Sequence, residues 1–133
     1  MSMSDKQPIE FDSNGTIINR GIHDSEVMSI TKNSDDSFSF NLTTQSNVNL
    51  ELKLNGIKRL VINNMWVQNI ILDIFLFKGS DIKKEIEDNP KFFNFRSDEL
   101  NSMNFDELYY VQIAPSNGLE MVAICKSVEL FEI

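Results

Sequence analysis

Between residues 37 and 54, apolar and polar side chains alternate with a period of two. In the stretch SFSFNLT, Phe38, Phe40 and Leu42 fall on one face, and Ser37, Ser39, Asn41 and Thr43 on the other. In VNLELKL, Val48, Leu50, Leu52 and Leu54 face one way, and Asn49, Glu51 and Lys53 the other. Successive side chains of a strand point to opposite faces, so both stretches predict antiparallel strands with one buried and one wet face. Asn55-Gly56 follows at once. Asn-Gly tolerates the positive φ angles of two-residue turns, so a hairpin is expected to lead back into IKRLVIN.

Residues 69–77 read differently. Ile70, Leu72, Ile74 and Leu76 fill one face, and Ile71, Phe75 and Phe77 share the other with Asp73. A strand apolar on both faces is expected to be central or covered twice. Asp73 needs either a wet edge or a partner such as Arg59, His23 or backbone N–H groups, because a charge is costly to bury alone. Together these strands give an expected core of Phe38, Phe40, Leu50, Leu52, Ile70, Leu72 and Ile124.

The period then changes. GSDIKKEIEDNP predicts a short helix. Ser80 or Asp81 is placed to cap it, Ile82 and Ile86 lie on one stripe, and Asn89-Pro90 stops it. RSDELNSM predicts a second, with Ser97 as cap and Asp98 and Glu99 where the helix dipole favours acids. Strands resume in LYYVQIA and LEMVAICKSVELFEI, joined as a hairpin by Asn117-Gly118. Residues 1–12 are expected to be a loose tail, and 13–133 one β-rich domain. The fold expected is α+β and mainly antiparallel β: a sandwich or strongly curved sheet of about seven to nine strands, with one or two short helices near residues 80–104. A helix laid across a single sheet is the alternative.

Composition narrows the chemistry. The 133 residues are 41% apolar, enough for one core, and carry a formal net charge of −8. Such a field repels nucleic acid and anionic membranes and suits a basic partner. No apolar run is long enough for a membrane helix, and the first ten residues do not resemble a signal peptide, so a cytoplasmic protein is expected. With one histidine and one cysteine there is no soft-ligand set for zinc, and no glycine-rich phosphate loop is present. No cofactor or metal is therefore expected. Cys125 shares a strand face with Met121 and Ala123 and reads as a buried apolar residue.

The one histidine lies in RGIHDSEVMSI, at residues 20–30. Chain neighbours in an extended segment point apart, so His23, Asp24 and Ser25 are not expected to form a catalytic triad, whose base must sit between nucleophile and acid. Two readings remain for His23, Asp24 and Glu26: a hydrogen-bonded turn, or a partner-binding edge. On strict alternation Asp24, Glu26 and Met28 would share one face, and His23, Ser25 and Val27 the other. Trp66, next to Met65 between two strands, is either a core residue or an exposed contact anchor.

The order GIHDSEVxSI, NGIKRL, NIILDI and CKSVEL, centred on His23-Asp24-Ser25-Glu26, resembles small bacterial domains. Some of these look like immunity proteins of polymorphic toxin systems. That resemblance implies a non-catalytic cytoplasmic binder that neutralises a cognate toxin, and it carries over no catalytic residue. The acidic balance would suit a basic toxin. The competing expectation is a small-ligand-binding or hydrolytic domain with a pocket near His23 and Asp73.

Overall fold

A computed structural model describes residues 5–88 and 97–133. Its strands are β1 (Asp5–Gln7), β2 (Glu26–Lys32), β3 (Phe38–Thr43), β4 (Asn49–Asn55), β5 (Arg59–Asn63), β6 (Ile70–Lys78), β7 (Tyr109–Asn117), β8 (Glu120–Cys125) and β9 (Ser127–Glu132). Helices α1 (Ser80–Asp88) and α2 (Ser97–Ser102) and a 3-10 turn at Phe105–Glu107 come between β6 and β7. The Asn89-Pro90 stop lies outside the described residues. All nine strands join one antiparallel sheet in the order β1-β9-β4-β3-β2-β6-β7-β8-β5. This is the mainly antiparallel α+β fold that the alternation predicts.

Asp5–Gln7, expected in a loose tail, instead pair with Leu130–Glu132 at the sheet edge. Ile9 packs against the main core. Asn55-Gly56 does not make a hairpin. Gly56 has the positive φ anticipated, +63°, but the chain crosses a corner there. β4 pairs with β9, and β5 with β8. β8 runs into β9 with only Lys126 between them. Two bent runs, β4–β5 and β8–β9, therefore turn the corner side by side. Lys58 N–H donates to Ile124 O (2.7 Å) and Lys126 N–H to Asn55 O (2.8 Å).

The corner folds the sheet over, and both halves contribute to one buried cluster. Phe40, Leu42, Leu52 and Leu130 come from one half; Ile74, Val111, Met121 and Ala123 come from the other. On the outer face of β7 and β8, Tyr110, Val122 and Ile124 take up Ile82 and Ile86, the apolar stripe of α1. β8 is thus covered on both faces. β6, expected to be the doubly apolar strand, carries bulges between Ile70 and Asp73. An extra residue in a bulge shifts the alternation. Ile71, Ile74 and Leu76 consequently point inward, Ile70 is only half-buried, and Leu72 is 42% exposed, outside the core expected for it. Phe38 is half-buried against the core, while Phe40, Leu50, Leu52 and Ile124 are buried as expected.

The outer edge of β6 is closed by the chain before β2. Ile17 N–H donates to Ile74 O and Leu76 N–H to Gly15 O. Gly15 is required there: its φ is +80°, and a Cβ would lie 2.8 Å from the Phe77 ring.

Candidate functional site

The histidine stretch meets the sheet at the seam between β2 and β6. Asp24 has φ +65°, a left-handed conformation that Asp tolerates better than most residues. The turn takes His23 off the buried face that alternation expects it to share with Ser25 and Val27, while Asp24, Glu26 and Met28 keep to the other face. Asp24 N–H donates to Ile71 O, while Ser25 is buried and its hydroxyl donates to Ile22 O. From Ser25 the pattern is regular: Ser25 and Val27 are buried, Glu26 is half-buried and Met28 is exposed.

The turn brings His23 and Asp24 together instead of apart. His23 Nδ1 lies 2.5 Å from Leu72 O. A carbonyl can only accept, so Nδ1 carries a proton and donates it. His23 Nε2 is 3.5 Å from Asp24 Oδ2, and Nδ1 is 3.7 Å from Asp73 Oδ1. Asp73, the one acid of β6, thus sits beside His23 at a half-wet surface. Arg59 pairs instead with Glu99 of α2. The His23 side chain is 61% exposed, so these contacts are heavily screened. There is no hydroxyl or thiol nucleophile in this trio. Among the described residues no group of three or more His, Cys, Asp or Glu is placed to hold a metal ion.

Four surface clefts among the described residues lie away from this trio. One of about 800 Å³ separates the segment around Phe11 from α1 and is lined by Phe77, Lys78, Lys84, Glu85 and Tyr109. In its lining Lys6 pairs with Glu129 at 3.2 Å, and Lys78 stands over the Tyr109 ring. Burial, with Asp88 and Asp81 nearby, pushes the Glu85 carboxyl above its ordinary pKa. Neither this cleft nor the three smaller ones is lined by His23 or Asp73. Burial pushes the Cys125 thiol up to about 12, so it is not a nucleophile at neutral pH.

Trp66 is 69% exposed, and its loop neighbours Met65 and Val67 are 59% and 94% exposed. Met28, the extra residue of a bulge in β2, is 60% exposed. Met28, Met65, Trp66 and Val67 border one small cleft of about 210 Å³, with Glu26 and Ile30 on its β2 wall. Exposed large apolar side chains gathered in one place mark interaction surfaces more often than isolated ones do.

The loop carrying Trp66 is pinned by a residue that the sequence patterns did not single out. Asn69 is 5% exposed. Its Oδ1 accepts from Trp66 N–H and from Leu119 N–H, both at 2.9 Å, and its Nδ2 donates to Trp66 O at 2.9 Å. Gly118 makes room for this amide, since a Cβ there would stand 2.4 Å from Oδ1. The signal available in sequence was an asparagine at a loop end directly before an apolar run, a common place for side-chain to backbone bonding. Comparisons of the chain with protein-family models, curated proteins and solved structures gave no significant match. Among the described residues no helix is long and apolar enough to cross a membrane.

Proposed function

We propose that this protein is a non-catalytic binding protein of the immunity type, which neutralises a basic toxin by covering it. The observation that carries the reading is the exposed Trp66 on a loop held in place by Asn69. A large aromatic side chain that is already positioned loses little entropy on contact, and tryptophans of this kind dominate interface energies. Met28, Met65 and Val67 widen the apolar area, and Glu26 supplies acid beside it. The net charge of −8 favours fast encounter with a cationic protein.

The test is affinity capture from the native cell with immobilised wild type and Trp66→Ala, followed by identification and purification of the retained protein. The expected result is a basic protein held by the wild type, released by salt, lost with Trp66→Ala, and toxic unless co-expressed with this chain. Capture that is indifferent to Trp66 would move the binding surface elsewhere. A hydrolytic activity of the pure protein that disappears in a folded His23→Ala variant would replace the reading by an enzymatic one.

A further inference from the structure

Among the described residues, β2 has a neighbour on only one side for most of its length. It pairs with β3 from Glu26 to Lys32 but with β6 only at Glu26↔Ile70. Val27 N–H still reaches Asn69 O across the seam. Beyond it the chain of residues 64–68 diverges into the Trp66 loop, and no described strand continues the pairing.

The direction of the remaining backbone groups follows from the β2–β3 turn. Asn33 N–H donates to Ser37 O. In an antiparallel pair, N–H and C=O groups alternate between the two sides of a strand. Thr31, opposite Ser39, therefore points its backbone groups at β3. Ile30 and Lys32, opposite Phe40 and Phe38, point theirs to the open side. A strand edge with unpaired N–H and C=O groups is a template for another chain. At one end of this edge stand Met28, Met65 and Trp66.

We infer that the open edge of β2, at Ile30 and Lys32, is a strand-addition site for an extended cationic-and-apolar segment of a partner protein. The inference rests on the binding reading above and names its mode. Charge decides the occupant. Glu26 lines the cleft and Asp24 precedes it at the seam. A second copy of this chain would bring another −8 to the same edge, which long-range repulsion opposes. An extended segment of lysine and apolar residues would offer its backbone to Ile30 and Lys32 and apolar side chains to Met28 and Trp66, and its positive charge suits Glu26 and the net charge of −8.

The probe is a capped octapeptide of alternating valine and lysine, titrated into isotope-labelled protein. Amide exchange is followed by nuclear magnetic resonance. The Ile30 and Lys32 amides are expected to slow by about tenfold or more at saturation, and the affinity to fall as salt rises. The same peptide N-methylated at alternate residues, on the edge that would pair, is expected not to bind. Lys32→Pro removes one open-side N–H, which an edge strand tolerates, and spares the β3 ladder. It also removes a positive charge, so electrostatics alone would tighten binding of a cationic peptide. The expected result is weaker binding by Lys32→Pro and equal or tighter binding by Lys32→Gln, with both variants matching the wild-type urea midpoint.

Equal binding of the N-methylated peptide, or binding without protection of Ile30 and Lys32, would overturn strand addition and leave the Trp66 surface standing. Absence of any peptide binding at millimolar concentration would overturn the site, while the capture experiment decides the binding reading separately. Self-association on sedimentation that Lys32→Pro abolishes would assign the edge to a second copy and overturn the cationic partner.

Discussion

Replacing Asn69 by alanine tests whether the Trp66 loop is held or merely lies where it does. Three hydrogen bonds disappear together. Their costs differ. Leu119 is 1% exposed, so its N–H loses its acceptor inside the protein, and an orphaned buried donor costs about 1–3 kcal/mol. The Trp66 backbone N–H and C=O are nearer water and can rehydrate, so each of those bonds falls at the low end of the usual range, about 0.5 kcal/mol. The sum is a loss of about 2–4 kcal/mol. Asn69→Asp keeps the acceptor for both N–H groups but turns a carboxylate oxygen toward Trp66 O, and a smaller loss is expected. Trp66 is the sole tryptophan, so one urea titration reads both quantities. Its midpoint gives stability, and native-state fluorescence anisotropy gives the mobility of the loop. In Asn69→Ala the anisotropy is expected to drop before any global unfolding. A loss below about 0.5 kcal/mol, which is the scale of an ordinary surface change, together with unchanged anisotropy, would refute the idea that this amide organises the loop.

Ile82→Ala should cost about 2–5 kcal/mol by emptying the pocket between α1 and β8, read in the same titration; a loss under about 1 kcal/mol would mean that α1 does not dock as described. Glu129 accepts a hydrogen bond from Asn55 and faces Lys6, which together hold its carboxyl below the ordinary glutamate range. A carboxylate with a depressed folded pKa adds stability above its unfolded pKa and loses it as pH falls through the folded one. The stability gap between wild type and Glu129→Gln should therefore be present at pH 7 and close as pH falls through the carboxylate range, and a gap independent of pH would contradict this. Cys125, buried with a pKa near 12, should resist thiol reagents at neutral pH and react in full once denatured. Because its folded pKa is raised above 9.0, its contribution should shrink as pH rises past that value.

Much of the fold is legible wherever local pattern and burial agree. Phe40, Leu42, Leu50 and Leu52 alternate with polar neighbours and are buried. Ile82 and Ile86 are spaced for one helix face and fill one pocket. Features that depend on distant pairing leave a weaker trace in the local pattern. Leu72 looks inward by counting from Ile70, but bulges that register against β7 alone reveals move it outward. Asn55-Gly56 announces a positive φ correctly, yet a positive φ fits a corner as well as a reversal. Which one forms is decided by β8 and β9, far along the chain. At the candidate site, Asp73 is visible as a charge inside an apolar run. Its meeting with His23 depends on the left-handed turn at Asp24, which no alternation rule contains. Trp66 was open to both core and surface readings because loops carry no period, and the amide of Asn69 that fixes it acts through backbone atoms.

The corner where β4–β5 and β8–β9 turn together sets the order in which the protein can be made. β9 lies between β1 and β4, and β8 between β7 and β5. A nascent chain that has reached residue 119 thus has every other strand present, yet β1 and β5 have no partner in the sheet and the shared core lacks Met121, Ala123, Cys125 and Leu130. Neither half can close early on the ribosome, because each waits for the same late segment. Pairings so distant in sequence are slow to form, and until they do the edges of β4 and β7 stay open to other chains. The protein is therefore expected to fold as one unit after residues 120–132 have emerged, and to need low concentration or a chaperone during that interval.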